Sequence, residues 1–304
     1  MLDEKIKLED LIEKRKHSDE TENINNIAII GAGIMGQGIA QTIASSGIEV
    51  HIIEKSKLQM ENAQAVLSNS IDREIKRWSI TKSEKKAILS RIKWDTSLDK
   101  VKECDLIIEA VDEDFELKKN IFLKLDSLAS NDTIFISNTS TLSLTKIAES
   151  TSRPDKVIGM HFLNPVPKIP LVELVKCLHT SNDTVEKVKA FAARIGKTPV
   201  EVYEYPGFVT TRAIVPLLNE AMYILMEGVA TAKDIDTAMK LGTNYPFGPL
   251  EWADKLGIDL VFEIFTSLQK YYGEDRYRPH PLLCEMVSLN MLGVKTGKGF
   301  YEYT

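Results

Sequence analysis

Three glycines at fixed spacing constrain this chain more than any other feature. Gly31-Ala32-Gly33-Ile34-Met35-Gly36 directly follows the apolar run Ile27-Ala28-Ile29-Ile30 and opens a segment, residues 34–46, with helical periodicity. In a strand–turn–helix unit each glycine has its own physical reason. The first permits a tight turn, the second lets backbone approach a pyrophosphate, and the third lets the helix pack close to the strand. The free N–H groups and positive dipole end of the helix then face the phosphates. A second apolar run, Val50-His51-Ile52-Ile53, ends at Glu54, 23 residues after Gly31 (54 − 31). A carboxylate there accepts both ribose hydroxyls and repels a 2′-phosphate, which predicts NAD over NADP, although Lys55 and Lys57 pull the other way. Gly31, Gly33, Ile34, Met35, Gly36 and Glu54 are the expected cofactor contacts. The competing reading is a glycine-rich turn in an ordinary α/β protein.

The rest of the first two hundred residues continues the alternation. Residues 57–79, 83–92 and 115–129 read as helices, while 106–110, 133–137 and 157–162 read as short buried strands. Such alternation predicts a parallel sheet covered on both faces. The pattern changes after Tyr205-Pro206-Gly207-Phe208, a turn signal. Beyond it, residues 209–227, 233–241 and 251–272 read as helices with no convincing strand. The expected organisation is a charged leader over 1–23, an α/β domain over 24–204 and an all-α domain over 205–304. The leader is expected to be a partly disordered appendage or a short surface helix.

Composition narrows the function classes. The net charge is −6, of which the leader supplies −3 (eight acids, five bases), so no basic stripe points to nucleic acid or an anionic membrane. The three cysteines, Cys104, Cys177 and Cys284, are scattered and lack metal-ligand spacing, which fits a reducing, cytoplasmic setting and no metal. The N-terminus lacks the apolar core of a secretory signal, and no run is long enough to span a bilayer.

The candidate chemistry lies in Gly159-Met160-His161-Phe162-Leu163-Asn164-Pro165-Val166-Pro167, followed at Glu173 by an acid inside Leu171-Val172-Glu173-Leu174-Val175. A carboxylate in a buried strand is costly without a partner. Behind an imidazole it would fix the tautomer and raise the basicity. Taken alone, the same residues also fit a satisfied core histidine and a strand-edge charge.

Together these segments resemble the short-chain 3-hydroxyacyl-CoA dehydrogenase family, including 3-hydroxybutyryl-CoA dehydrogenases. The resemblance runs from about Asn26 to Tyr303. It is carried by GAGIMGQGIA (31–40), SNTSTL (137–142), GMHFLNPVP (159–167), PGFVTTR (206–212), YPFGPLEWAD (245–254) and KTGKGFY (295–301). It implies a Rossmann-like doubly wound, mainly parallel sheet, an all-α C-terminal domain that usually supports a homodimer, and NAD-linked oxidation of a 3-hydroxyacyl thioester. It also implies that His161 is the base and Glu173 its orienting partner. Ser140 would touch the substrate oxygen, Asn164 would be the amide after the histidine, and Glu113 would lie near the nicotinamide ribose. Read as residues alone, Ser140 also fits a cap for a helix beginning near Leu142, and Glu113 fits an exposed loop acid.

Two departures bear on the substrate. The family's PGF-x-x-N-R carries an asparagine that holds substrate, and here Thr211 stands there, with a shorter side chain and one hydroxyl donor. The family's Lys-Gly-Lys cluster for the CoA phosphates reads Lys76-Arg77-Trp78-Ser79. Lys76 and Arg77 are still expected to meet a phosphate, with Trp78 packing at the helix end. The leading expectation is therefore a short 3-hydroxyacyl-CoA such as 3-hydroxybutyryl-CoA. The alternative is the same chemistry on an acyl group held by a carrier protein, such as a glyceryl group. A β-hydroxyacid dehydrogenase would need a catalytic lysine early in the helical domain, and none occurs between 203 and 232. A non-catalytic NAD-binding protein is the remaining reading, and the His161–Glu173 pair argues against it.

Overall fold

A computed structural model describes residues 24–76 and 80–303. The expectations for the leader and for Arg77, Trp78 and Ser79 lie outside the described residues. The described chain forms two compact units, dividing between Glu204 and Tyr205.

The first unit is built on one eight-stranded sheet. Its strands are β1 (Ile27–Ile30), β2 (Val50–Ile53), β3 (Ile92–Asp95), β4 (Leu106–Glu109), β5 (Ile134–Ser137), β6 (Val157–Phe162), β7 (Leu171–Lys176) and β8 (Thr198–Tyr203). Their spatial order is β3-β2-β1-β4-β5-β6-β7-β8. Neighbours run parallel except β6 and β7. The first six strands thus follow the dinucleotide-binding order, and the order reverses between β1 and β4, which opens a crevice at their carboxyl ends. Strands β1, β4, β5 and β6 are buried at every position, as their unbroken apolar runs require when helices cover both faces. Helices α1 (Ile34–Ser45), α2 (Lys57–Lys76), α3 (Lys82–Arg91), α4 (Phe115–Leu128), α5 (Leu144–Ala148) and α6 (Asn182–Arg194) provide that cover. Ile29, Ile43, Ile52, Leu67, Ile108, Ile136 and Phe191 belong to one continuous apolar core.

β3 and β8 do not stand out in the sequence, and the reason is exposure. In β3 only Ile92 is fully buried, and in the edge strand β8 only Val202 is, so neither presents an apolar run. The predicted helix over 57–79 is seen to Lys76.

The second unit contains α7 (Thr210–Met226), α8 (Ala232–Gly242), α9 (Pro249–Leu256), α10 (Ile258–Tyr272) and α11 (Pro281–Ser288). The single helix expected over 251–272 is two, separated at Gly257, whose φ of +99° suits glycine and breaks the helix. Leu218, Met222, Leu250, Phe265, Leu268 and Leu283 form its core. Two buried acids lock it. Asp236 accepts from the backbone N–H groups of Leu250 and Glu251 at the start of α9, at 2.9 and 2.8 Å. Asp254 accepts from those of Phe300 and Tyr301, both at 2.9 Å, and the Tyr301 hydroxyl donates to Asp236 at 2.6 Å. A Cβ on Gly248 or Gly299 would lie 2.1 or 2.0 Å from one of these acids, so both positions need glycine. The motifs at 245–254 and 295–301 are thus two halves of one structural lock. No helix among the described residues is long and apolar enough to cross a membrane.

Candidate active site

The glycine loop sits at the carboxyl end of β1. Gly31 has φ +102° and a Cβ there would meet the Ala110 carbonyl oxygen at 2.8 Å. A Cβ on Gly36 would lie 2.0 Å from the Gly31 oxygen, so loop and helix touch backbone to backbone. Gly33 is different: nothing lies within 4 Å of its Cβ position. It borders open space at the start of α1, where no side chain caps the helix. Ile34 is 73% exposed beside it, while Met35 packs onto the core. Glu54, at the end of β2, accepts from the Ala32 N–H at 2.9 Å and the Lys55 N–H at 2.7 Å, which fixes its carboxylate against the loop. This cradle fits NAD: a glycine facing open space for the pyrophosphate, free helix amides, and an anchored acid for a ribose.

His161 and Glu173 are register partners across the β6–β7 pairing. Directly opposed residues of an antiparallel pair bring their side chains together on one face. Here His161 Nδ1 lies 2.7 Å from Glu173 Oε2. Both are buried, at 7% and 1% exposure. A carboxylate only accepts, so Nδ1 carries the hydrogen and Nε2 becomes the basic nitrogen. Asn164 follows in the turn after β6, exposed, with a cis peptide to Pro165. Lys197 holds that turn through the carbonyls of Val166 and Ile169, and burial lowers its pKa.

Ser140 is not a helix cap. Ser143 caps α5, accepting from the Lys146 N–H. Ser140 instead belongs to a loop folded around Glu113. Glu113 Oε1 accepts from Thr139 Oγ1 at 2.6 Å, Ser140 N at 2.8 Å, Ser140 Oγ at 3.2 Å and Thr141 N at 3.0 Å. Burial alone would raise the Glu113 carboxyl, but the Lys118 ammonium and these hydrogen bonds outweigh it and hold the group below the usual carboxylate range.

Sequence reasoning missed the centre of this cluster. Glu109, fully buried at the end of β4, accepts from Lys118 Nζ at 2.6 Å, Val111 N at 2.8 Å and Ser137 Oγ at 2.7 Å. Lys118 is 1% exposed and also reaches Glu113 Oε2 at 3.3 Å and the Val111 carbonyl at 3.2 Å. Asn138 Oδ1 accepts from the Phe162 N–H at 3.1 Å, tying the same loop to β6 beside His161. The signal was present: Glu109 is an acid within the run Leu106-Ile107-Ile108-Glu109-Ala110, as Glu173 is within its own apolar run.

Lys76 is exposed at the end of α2. It borders a groove of about 740 Å³ with Val66, Asn69, Asp72, Arg73, Ile75 and Lys82. Arg73 and Lys82 were not among the expected contacts. Thr211 lies in the first turn of α7, in the second unit, after the Gly207-Phe208 turn with φ of +82° and +45°.

A dinucleotide cradle and a buried histidine–carboxylate pair on one sheet define the class as a nicotinamide-dependent dehydrogenase. Comparison with known proteins gives the family. The description "3-hydroxyacyl-CoA dehydrogenase, NAD binding domain" matches residues 26–205, and "3-hydroxyacyl-CoA dehydrogenase, C-terminal domain" matches 207–303. The chain is 45% identical over 277 residues to 3-hydroxybutyryl-CoA dehydrogenase of Clostridioides difficile, covering 91% of this chain and 99% of that protein. It is 42% identical to a probable 3-hydroxybutyryl-CoA dehydrogenase of Bacillus subtilis, covering 92% and 98%. The crystal structure of (S)-3-hydroxybutyryl-CoA dehydrogenase PaaH1 from Ralstonia eutropha superposes with a TM-score of 0.85 at 42% identity, covering 93% and 100%. The chain belongs to the 3-hydroxyacyl-CoA dehydrogenase family, and its cofactor is NAD.

Proposed function

We propose that this enzyme interconverts a short 3-hydroxyacyl-CoA, such as 3-hydroxybutyryl-CoA, and its 3-oxoacyl form, with His161 as the acid–base group. The observation that carries this reading is the 2.7 Å contact between His161 Nδ1 and Glu173 Oε2 in a buried setting. Bound NAD supplies the hydride acceptor. His161 Nε2 takes the proton of the 3-hydroxyl during oxidation and returns it in the reverse direction. Glu173 fixes the ring tautomer and stabilises the imidazolium once it forms; general acid–base help of this kind is worth about 10²–10⁴ in rate. Ser140 and Asn164 are assigned to the substrate oxygens, and Thr211 to the acyl pocket. Gly31, Gly33, Ile34, Met35, Gly36, Glu54 and Glu113 are assigned to the cofactor. Lys76 and Arg77 are assigned to the CoA phosphates, a reading supported for Lys76 by the further cations Arg73 and Lys82 at the groove it borders.

Thr211, standing where the family has asparagine, favours a second reading in which the acyl group is carried by a protein. The test is an NADH-formation assay comparing 3-hydroxybutyryl-CoA with the same acyl group on a carrier protein. Ordinary turnover of the CoA ester supports the first reading, and turnover restricted to the carrier form replaces it. We also assign the enzyme to the cytoplasm as a homodimer, supported by the scattered free cysteines and by family resemblance.

A further inference from the structure

The cluster around Lys118 has a use that the proton-transfer chemistry does not need. It sits at the carboxyl ends of β4 and β5. On one side lie the glycine loop at β1 and Glu54 at β2, and on the other lies His161 on β6. Adjacent strands are about 4.8 Å apart, so β1 and β6 are separated by roughly 14 Å along this edge. With one ribose at Glu54 and the pyrophosphate at Gly33, the nicotinamide must reach across β4 and β5 towards His161. The charged groups it meets there are two carboxylates, Glu109 and Glu113, and one ammonium, Lys118. Lys118 is held within the protein: its ammonium donates to Glu109 and to the Val111 carbonyl and forms an ion pair with Glu113 at 3.3 Å.

We propose that Glu109, Lys118 and Glu113 act together as an oxidation-state selector, placing one net negative charge at the nicotinamide end of the cofactor. The nicotinamide ring is cationic when oxidised and neutral once it carries the hydride, whereas the riboses, adenine and pyrophosphate are the same in both forms. The excess carboxylate therefore favours NAD⁺ over NADH. Burial strengthens the effect at Glu109 and Lys118, which are almost wholly withdrawn from water, while solvent partly screens Glu113, whose side chain is 35% exposed. Glu109 acts here without touching the substrate. It neutralises Lys118, so that the charge of Glu113 is left over.

The test is equilibrium binding to the intact enzyme without thioester: NADH by fluorescence titration and NAD⁺ by calorimetry, at neutral pH and fixed salt. Glu109→Gln and Glu113→Gln each remove a negative charge, and each should lower the ratio Kd(NADH)/Kd(NAD⁺) by about three- to tenfold. Lys118→Met removes the positive charge and should raise the ratio by a similar factor. A general loosening of the loop moves both constants together and leaves the ratio fixed. A ratio unmoved in both carboxylate variants overturns the proposal, as does a Lys118→Met ratio that falls with them. Lys118→Met strands a buried carboxylate; if it does not fold, the two carboxylate variants decide. The proposal rests on the cofactor placement given above, which Glu54→Ala tests separately. That variant should weaken both forms equally, and unchanged affinities would remove the placement rather than the charge argument.

Discussion

His161 and Glu173 face each other across the antiparallel β6–β7 pairing, and the strand register itself delivers the 2.7 Å contact. Neither side chain needs a flexible loop to reach the other. A shift of one residue in β7 would turn Glu173 to the opposite face of the sheet and separate the pair.

His161→Ala should lower kcat by about 10²–10⁴ while leaving the NAD dissociation constant nearly unchanged. It should also lower thermal stability, because Glu173, at 1% exposure, loses its hydrogen bond to His161. Steady-state kinetics, NAD titration and calorimetric melting check the three parts. Near-full turnover would remove the histidine from the mechanism.

How much of this was legible beforehand depended on whether the information was local. Gly31, Gly33, Gly36 and Glu54 lie within one strand–turn–helix–strand unit, and that unit announces itself. The reversed direction of β7 was also readable. Only eight residues, 163–170, separate β6 from β7, too few for the crossover of a dozen or more that a parallel connection needs. The Glu109–Lys118 pair was not readable as a pair, because it joins a strand end to a helix face, and helix phase decides which lysine turns inward. Lys118 and Lys119 are adjacent, yet only Lys118 is buried in the cluster. Ser140 shows the opposite case. The sequence offered a cap or a site residue, and the use of Ser143 as the cap leaves Ser140 to the Glu113 loop.

Glu113 should leave a signature in the acid stability of the protein. Its folded pKa is depressed, so its stabilisation is present above the unfolded value of about 4.3 and is lost as pH falls through the lower folded value. Glu113→Gln should therefore be less stable than the parent at neutral pH, with the gap closing below the ordinary carboxylate pKa. Urea unfolding of both proteins across that range checks the sign, and a gap that widens on acidification would contradict it.

Thr211→Asn restores the family's amide at the start of α7. If the substrate is an acyl-CoA and only this side chain departs, kcat/KM for 3-hydroxybutyryl-CoA should rise, with little change in NAD affinity. An asparagine that leaves kcat/KM flat would mean that the pocket around Thr211 differs as well, and would favour the carrier-protein substrate.

Gly33 and Gly36 give the sharpest separation between a binding glycine and a packing glycine. Gly36→Ala forces a methyl group to 2.0 Å from the Gly31 carbonyl oxygen, so α1 must move away from the strand. Overpacking of this kind costs about 1–3 kcal/mol or more, and the melting temperature should fall whether or not cofactor is added. Gly33→Ala places its methyl in open space at a φ of −65°, so the unliganded protein should melt within a degree or so of the parent. On the proposed cofactor placement the same methyl meets the pyrophosphate, and NAD affinity should fall by about tenfold or more. Paired melts with and without NAD read both effects: Gly36→Ala is destabilised at the outset, whereas Gly33→Ala loses only the stabilisation that NAD confers. A Gly33→Ala protein that binds NAD normally would move the pyrophosphate away from this loop.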